Sequence, residues 1–267
     1  MKVILTGSQW FIGSHLKNRL ENEGHEVVEW DLKINKPIED FATRGADYCI
    51  HLAAIANVRN SIKDPQKYWD NNVKNTTRIQ RLCFFNNVPL LYASSSCIHN
   101  WWLSPYGTTK KVNEETSFDK QVALRFTTVY GSGARESMFI GKLIGGKLEH
   151  LTNHVRDFIH VNDVVDAIML LMSKDIRLLK SAYDIGTGVG NIVSDLGKEF
   201  GYGHLPVTDG DACEAKNNVA DITNMKELGW SPAIEVKKYL SEKNLYKHRN
   251  IWYNIFLIQE KIYEYYG

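Results

Sequence analysis

The stretch Leu5–Leu16, with the sequence LTGSQWFIGSHL, constrains the fold of this chain more than any other part. It overlaps the apolar run Lys2–Thr6 and leads into the amphipathic pattern Ile12–Glu23, so it predicts a strand, a tight turn and a helix. Gly7 and Gly13 frame the turn. A turn of this kind brings backbone N–H groups and a helix N-terminus together, where they can bind phosphate groups.

Midway between the two glycines, Trp10 occupies the position at which such turns normally carry a third glycine. Tryptophan is bulky, but a side chain at the start of a helix need not point towards the ligand. We therefore expect the indole to turn outwards. The N–H groups around Gly7, Phe11, Ile12 and Gly13 then remain available to bind a dinucleotide.

An acidic residue supports this interpretation. Asp31 follows the predicted strand Glu26–Trp30 and lies 18 residues beyond Gly13, where a carboxylate can bind the hydroxyls of an adenosine ribose. Because its charge repels a 2′-phosphate, we predict NAD as the cofactor rather than NADP, with Lys33 and Lys36 near enough to weaken that preference. On these features alone, the alternative is a structural turn with a solvated aspartate.

Strand and helix patterns alternate along the first half of the chain. The predicted strands are Lys2–Thr6, Glu26–Trp30, Tyr48–Ala53, Pro89–Ser94 and Ala123–Thr127. The predicted helices are Ile12–Glu23, Pro65–Asn86 and Tyr106–Thr116, with Ser61 and Asp64 as capping candidates for the second. This alternation predicts an α/β fold with a doubly wound parallel sheet, the Rossmann arrangement.

The pattern changes after Gly131. The predicted elements are a helix Asn162–Ser173 started by Asn162 and Asp163, a strand Ala182–Ile185, a short helix Asp221–Leu228, and an aromatic helical pattern over Ile234–Gly267. We predict that residues 1–130, joined by residues 155–186, form a dinucleotide-binding domain. Residues 131–154 and 187–267 then form a smaller substrate-binding lobe with a C-terminal helix, in which the aromatics Trp252–Tyr266 are packed.

Composition excludes several classes of protein. The 267 residues carry a formal net charge of +1, which provides no global field for nucleic acid or an acidic membrane. No apolar run reaches the length needed to span a bilayer, and the first residues lack a signal-peptide pattern. The four cysteines are scattered without a CxxC motif, which argues against disulfides or a metal site. We expect a cytoplasmic protein.

Two further motifs complete a pattern. SPYGTTK, from Ser104 to Lys110, places Tyr106 and Lys110 four residues apart on one helix face, and YASSSCIHN, from Tyr92 to Asn100, ends the preceding strand. Together with the glycine turn, these motifs resemble the extended short-chain dehydrogenase/reductase family, in its NAD-dependent nucleotide-sugar epimerase/dehydratase group. Further family-like pieces are Ile38–Asp40, His51–Ala54, Asn72-Val73, LRFTTVYG from Leu124, RDFIHVNDV from Arg156, YDIGTG from Tyr183 and ADITNMKELGWSP from Ala220.

The resemblance implies a catalytic group. Tyr106 would act as the base that removes a hydroxyl proton, and Lys110 would lower its pKa and hold the nicotinamide ribose. A free phenol has a pKa of about 10, so a neighbouring positive charge is needed. Ser95 matches the serine that orients the substrate oxygen, with Ser96 as the alternative. A minor alternative leaves Tyr106 and Lys110 as ordinary surface residues of a helix.

The resemblance also implies residues that bind ligands. It assigns Asp40, Ala53 and Asn72 to the cofactor side, and Ser96, Cys97, Thr128 and Arg156 to the substrate side. Arg156 matches an arginine that commonly reaches a substrate diphosphate, with an ion pair to Asp157 or Asp163 as the alternative. Cys97 resembles the acid/base cysteine of GDP-fucose synthases, although a small buried residue is the simpler interpretation.

We therefore predict an NAD-dependent epimerase of a nucleotide-linked sugar that works through a transient keto intermediate and forms a homodimer. A 4,6-dehydratase is disfavoured because Ser96-Cys97 stands where that group carries an Asp-Glu pair. Thr128 replaces a usual asparagine, and the stretch between Ser95 and Tyr106 is shorter than usual, so the sugar stays open. The alternatives are an NAD(P)-dependent reductase or reductoepimerase, and a non-catalytic dinucleotide-binding protein.

Overall fold

The computed structural model of the chain describes residues 1–243. Within that range, residues 236–243 are helical, as the terminal pattern predicts. The predicted packing of the aromatics Trp252–Tyr266 lies outside the described residues. In residues 1–243, no helix combines the length and the apolar character required to cross a membrane.

The main sheet contains six parallel strands in the order β2-β1-β3-β4-β5-β9. These strands are β1 Lys2–Thr6, β2 Glu26–Trp30, β3 Tyr48–His51, β4 Leu90–Ser95, β5 Gln121–Phe126 and β9 Ala182–Ile185. The order reverses beside β1, so the chain winds outwards in both directions. This is the doubly wound α/β fold that the alternation of strands and helices predicts.

Helices cover both faces of this sheet. The described α-helices are α1 Phe11–Asn22, α2 Val58–Lys63, α3 Pro65–Tyr68, α4 Asn75–Phe85, α5 Pro105–Glu115, α6 Phe139–Gly145, α7 Val161–Ser173, α8 Val193–Gly197 and α9 Thr223–Glu227. On one face, apolar side chains of α1 and α7 pack with those of the strands. On the other, Ile79 and Cys83 of α4 pack against Ile4, Leu90 and Tyr92 of the sheet.

A second, smaller sheet lies beside the first. Its strands are β6 Thr128–Tyr130, β8 Val155–His160, β10 Gly190–Ile192 and β12 Asn217–Asn218. Strands β6, β10 and β12 each pair with β8. A separate pair joins β7 Leu151–Thr152 to β11 Val207–Thr208. The helical residues 236–243 contribute Val236 and Leu240 to the apolar cluster beneath this region.

The carboxylate of Asp157 on β8 connects these parts. It accepts hydrogen bonds from the backbone N–H groups of Thr187, Gly188 and Ala220 and from the Thr187 hydroxyl, at 2.6 to 3.2 Å. Gly186 is required beside it, because a Cβ there would lie 2.5 Å from the carboxylate. One buried side chain thus joins the end of β9, strand β8 and the segment after β12.

Strand β3 ends at His51, two residues earlier than predicted, and the reason is its neighbour. A Cβ on Gly7 would lie 2.8 Å from the nitrogen of Ala53. The chain therefore passes too close to the glycine turn for a regular strand ladder. The hydroxyl of Thr6 accepts the Ala53 N–H at 3.2 Å instead.

The predicted helix Pro65–Asn86 is divided into α3, a π-helical turn at Trp69–Lys74 and α4. Asp64 caps its start by accepting the N–H of Lys67 at 3.1 Å, as predicted. Ser61 is not a cap, since it lies inside the short helix α2 that the sequence pattern missed.

Two later helix boundaries also differ from prediction. Helix α7 begins one residue before the predicted Asn162, and His160 caps it by accepting the Asn162 N–H at 3.2 Å. Asp163 instead accepts the N–H groups of Ala233 and Ile234. The predicted helix Asp221–Leu228 is shorter, at Thr223–Glu227.

Candidate active site

The turn after β1 has the geometry of a phosphate-binding turn. Gly7 has a φ of +73°, in the left-handed region that favours glycine. A Cβ on Gly13 would lie only 2.0 Å from the oxygen of Gly7, so this position excludes any side chain. The two glycines let the turn fold tightly against the first residues of α1. The N–H groups of Phe11 and Ile12 lie in that first helical turn, where a helix leaves its donors unpaired.

Trp10 fits this turn without strain. Its backbone is extended, at φ −110° and ψ 173°, and it is the N-cap residue of α1. The indole is 59% exposed, and the ammonium of Lys33 lies 3.8 Å from the ring centroid. The side chain therefore lies at the outside of the turn, as the sequence leads us to expect, and the start of α1 is not buried beneath it.

Asp31 is buried at the end of β2 and is tied to the turn. Its carboxylate accepts the N–H of Gln9 at 3.0 Å and the N–H of Lys33 at 2.9 Å. The side chains of Ser8 and Gln9 also donate to Glu29 on the same strand. Side chains of β2 thus fix the residues that precede Trp10, which supplies rigidity where the middle glycine is absent.

The catalytic residues expected from the family resemblance meet at the carboxyl end of β4. Ser104 caps α5 by accepting the N–H of Gly107 at 3.1 Å, which fixes the helix that carries Tyr106 and Lys110. Both of these side chains are buried. The Lys110 ammonium donates to the carbonyl of Ala93 at 2.7 Å and lies 5.8 Å from the Tyr106 ring centroid. Hydrogen bonding by Ser95 acts to lower the pKa of Tyr106, which places the two side chains in reach of each other.

The electrostatics of this group oppose ionisation of Tyr106 in the protein alone. Burial raises the pKa of Tyr106 well above its ordinary value, while the Ser95 hydrogen bond and the charge of Arg135 act in the lowering direction. Burial also lowers the pKa of Lys110 to about 8. A phenolate here therefore needs further positive charge beside it, which a bound nicotinamide ring would supply.

Asn72, which the family resemblance places on the cofactor side as a support for the site, binds backbone groups of a neighbouring loop. It is fully buried in the π-helical turn. Its side-chain oxygen accepts the N–H of Ile55 at 2.9 Å, and its side-chain nitrogen donates to the Ile55 carbonyl at 3.0 Å. This pair of bonds fixes the loop that follows β3, on which Ala53 lies next to the glycine turn.

Three other residues that were predicted to bind cofactor or substrate differ from one another in solvent exposure. Asp40 is exposed at the end of a 3-10 turn, Ile38–Asp40. Ser96 is buried and begins the 3-10 segment Ser96–Leu103, which forms most of the short stretch between Ser95 and Tyr106. Cys97 is half-buried and donates its backbone N–H to the Ser95 oxygen at 3.2 Å. Burial raises the pKa of the Cys97 thiol, so it remains protonated at neutral pH.

Arg156 is held by its own chain. Its guanidinium donates to the carbonyls of Val155 and Ala215, to His154, and to the Glu214 carboxylate at 3.0 Å. The alternative prediction was an ion pair of Arg156 with Asp157 or Asp163. The ion pair forms, but its partner is Glu214. Both of those carboxylates bind backbone N–H groups, and Glu214 comes from a segment 58 residues further along the chain.

Thr128 begins β6 and lines a cavity of about 330 Å³. Its walls come from β6, from α6 and from Tyr239, with Met138 and Glu136 on the connecting loop. Ser95 and Tyr106 are not among the residues that line this cavity. The sequence predicted that Thr128 binds substrate. Thr128 lines a cavity, but this cavity is not centred on the catalytic group.

Sequence reasoning missed two charged residues near the site. Arg135, on the loop after β6, donates to the carbonyl of Ala56 at 2.7 Å and lowers the pKa of Tyr106 by its charge. Glu214 binds both Arg156 and Arg59, at 3.0 and 2.8 Å. Neither residue lies in a periodic pattern or within a recognisable motif, so no signal in the sequence pointed to them.

The glycine turn and Asp31 fit a bound dinucleotide. Gly7 and Gly13 leave space that any Cβ would fill, and the buried carboxylate of Asp31 stands beside the turn. Across residues 1–243, no group of three or more His, Cys, Asp or Glu side chains is arranged to hold a metal ion. A doubly wound sheet with this turn and a Ser, Tyr and Lys group defines a dinucleotide-dependent enzyme of the short-chain dehydrogenase/reductase type.

The chain belongs to the NAD dependent epimerase/dehydratase family, whose family model matches residues 3–186. It is similar to Protein CapI of Staphylococcus aureus, at 27% identity in an alignment that covers 89% of this chain and 95% of the relative. It is also similar to UDP-glucose 4-epimerase of Pisum sativum, at 25% identity over 94% of this chain and 97% of the relative.

Solved structures agree with this assignment. MoeE5 in complex with UDP-glucose and NAD has a TM-score of 0.80 and 28% identity, and the match covers 94% of this chain and all of the other. UDP-glucuronic acid 4-epimerase from Bacillus cereus, in complex with UDP-glucuronic acid and NAD, has a TM-score of 0.80 and 25% identity over 93% of this chain and 99% of the other.

Proposed function

We propose that this protein is an NAD-dependent epimerase of a nucleotide-linked sugar, acting through a transient ketone. The observation that carries the proposal is the convergence of Ser95, Tyr106 and Lys110 in one buried group. Relatives named as UDP-sugar 4-epimerases support the reaction and favour a UDP-sugar as substrate.

Each residue has a chemical task. NAD, held by the glycine turn and Asp31, would supply the hydride acceptor and donor for oxidation and re-reduction of the sugar carbon. Tyr106 removes the hydroxyl proton as the ketone forms and gives it back on reduction. Ser95 donates to the oxygen that reacts and holds it in place. Lys110 contributes positive charge and two ammonium hydrogens beyond the one bound to Ala93, enough to hold a ribose hydroxyl.

Epimerisation is favoured over dehydration by the residues after Ser95. A dehydratase needs an acid to protonate the departing oxygen and a base to remove a carbon-bound proton. Here Ser96 and Cys97 occupy the adjacent positions, and the raised pKa of the Cys97 thiol leaves it without a thiolate to act as base. Simple inversion by oxidation and re-reduction requires neither group.

Arg156 remains our candidate for contact with the substrate diphosphate. Its bonds to Glu214 and to two carbonyls mean that this contact would come by exchange, with the diphosphate taking the place of one internal acceptor. The segment around Glu214 would then move when substrate binds.

We also propose a homodimer formed through α3, α4 and α5. Exposed apolar side chains lie on this helical region, with Trp69 in the π-helical turn and Phe85 on α4. Sedimentation or light scattering of the purified protein tests this assembly, and a monomer at micromolar concentration would remove it.

The experiment that tests the function begins with a binding screen of UDP-, GDP-, dTDP- and CDP-sugars. The sugar that binds is then incubated with the protein and catalytic NAD. We expect an epimer to form without net consumption of the cofactor. Stoichiometric demand for NADH would identify a reductase instead, and loss of water from the sugar would identify a dehydratase. No conversion of any bound sugar would favour the non-catalytic alternative.

Solvent deuterium then defines the route. Oxidation, rotation and re-reduction keep the carbon-bound hydrogen within the site, so the product carries no deuterium on carbon. If deuterium enters and Cys97→Ser stops that exchange while oxidation persists, Cys97 transfers protons at carbon. A fully active Cys97→Ser without exchange leaves Cys97 as a packing residue.

A further inference from the structure

Trp10 and Lys33 form a contact that the family pattern does not supply. The Lys33 ammonium lies 3.8 Å from the Trp10 ring centroid and donates to the carbonyl of Gln9 at 3.0 Å. Both residues are exposed, so the pair lies at the rim of the turn. A cation above an indole face is attracted by the ring, which holds the flexible lysine stem in one direction.

The contacts that Asp31 and Lys33 share indicate which ligand group the Lys33 ammonium can bind. The Asp31 carboxylate accepts the N–H groups of Gln9 and Lys33, and the Lys33 ammonium donates to the Gln9 carbonyl, so Asp31 and Lys33 are both bound to Gln9. In dinucleotide sites, the carboxylate at the end of β2 meets the hydroxyls of the adenosine ribose. A cation two residues after that carboxylate and bound to the same turn can meet a phosphate on the 2′-oxygen, the group that distinguishes NADP from NAD.

We propose that Lys33, held in place by Trp10, forms a subsite for a 2′-phosphate, so that the cofactor pocket accepts NADP as well as NAD. Asp31 repels a 2′-phosphate, but the residue is 4% exposed and its carboxylate already accepts two backbone N–H groups, which balance part of its charge. Trp10 replaces the middle glycine without blocking the turn, and its ring supplies the surface on which the lysine rests.

Lys36 provides a matched control. It is another exposed lysine of the same segment, but the contact with the indole and the bond to Gln9 involve Lys33. If general positive charge in this segment governed the choice of cofactor, Lys36→Met would act like Lys33→Met. If the placement of one ammonium governs it, only Lys33→Met changes the ratio of affinities.

The test is calorimetric titration of NAD, NADP, 5′-ADP and 2′,5′-ADP into the unmodified protein and its variants. We expect NADP to bind within about tenfold of NAD. Lys33→Met should weaken NADP and 2′,5′-ADP by about tenfold, the value of one exposed charged hydrogen bond, and leave NAD and 5′-ADP unchanged. Lys36→Met should leave all four ligands unchanged.

Trp10→Leu tests the second half of the proposal. We expect it to weaken NADP by about threefold, the value of an exposed cation–π contact, and to add nothing in combination with Lys33→Met. NADP binding more than about a hundredfold below NAD in the unmodified protein overturns the proposal. So do equal losses of NAD and NADP in Lys33→Met, or equal effects of Lys33→Met and Lys36→Met. Because these measurements require no sugar, they are independent of the proposed epimerase activity.

Discussion

Lys110 and Arg156 are both largely buried cations near the proposed reaction, but they are engaged very differently. The ammonium of Lys110 donates one hydrogen bond, to the Ala93 carbonyl, and burial lowers its pKa to about 8. The guanidinium of Arg156 donates to two carbonyls, an imidazole and a carboxylate. The first residue retains donors for a ligand, whereas the second is bound to internal acceptors in the ligand-free protein, one of which a substrate diphosphate would have to replace.

The difference shows that a buried charge can be kept for chemistry or for structure, and that the number of internal partners distinguishes the two. A charge kept for chemistry reduces the stability of the ligand-free protein, because burial opposes its ionised form. A charge kept for structure does the reverse, since its removal leaves several acceptors without a donor. Substitutions can test whether this division holds.

Tyr106→Phe should have the largest effect. It removes the proposed base beside Lys110 but preserves the ring, so we expect turnover to fall by about 10³-fold with NAD affinity unchanged. Epimerisation rate and calorimetric NAD binding measure the two effects. Tyr68→Phe is a matched control, because Tyr68 packs edge-on against Tyr106 and donates its hydroxyl to Asn57 at 2.7 Å. A similar loss in both variants would mean that packing, not the phenol, is responsible.

Lys110→Met tests the charge that is kept for chemistry. We expect activity to fall by at least about 10²-fold and the melting temperature at pH 7 to rise. The folded pKa of about 8 lies below the ordinary value of 10.5, so the lysine's cost is full below pH 8 and disappears as pH rises towards 10.5. That cost is on the order of 3 kcal/mol. A lower melting temperature in Lys110→Met would contradict this assignment.

Arg156→Met tests the charge that is kept for structure. We expect the free energy of unfolding to fall by about 2–3 kcal/mol, because Glu214, His154 and two carbonyls lose their donor. Chemical denaturation measures this loss. Arg59→Met removes a more exposed partner of the same Glu214, and should cost less than about 1 kcal/mol. Equal losses in the two variants would remove the distinction between the buried and the exposed arginine.

His99 gives the smallest expected effect. Its ring donates to Asp184 at 3.0 Å, and this bond raises the pKa of His99 above its ordinary value. The stabilisation is therefore full below about pH 6.5 and is lost as pH rises through the folded pKa. Between pH 6 and 8, the melting temperature should fall about 1 °C more in the unmodified protein than in His99→Gln. Parallel curves would show that the pair contributes nothing.

The sequence predicted the features that depend on neighbouring residues. The glycine turn, the strands of the main sheet and the spacing of Tyr106 and Lys110 are all local, so short patterns were sufficient for them. The partner of Arg156 was not predictable, because Glu214 reaches it through the pairing of β12 with β8. The early end of β3 at His51 likewise depends on how closely Gly7 approaches Ala53 in space.

The π-helical turn was missed for a related reason. Residues of α3, the turn and α4 share one helical pattern in sequence, and periodicity does not register an extra residue in one turn. The fully buried Asn72 within that turn is fixed by its bonds to Ile55, a contact that only the folded chain creates. The family resemblance identified Asn72 as a residue that supports the site from its helix, but the structure was needed to show which backbone groups it binds.

The corner formed by Asp157 and Gly186 limits how this protein can change in evolution. A substitution at Gly186 would place a side chain 2.5 Å from the carboxylate, and loss of that carboxylate would strand the N–H groups of Thr187, Gly188 and Ala220. A substitution of either Asp157 or Gly186 alone therefore destabilises the fold, so evolution cannot change these two residues one at a time without loss of stability. Changes in this part of the fold must therefore occur at the residues around the corner, and saturation mutagenesis should find that neither Asp157 nor Gly186 tolerates substitution on its own.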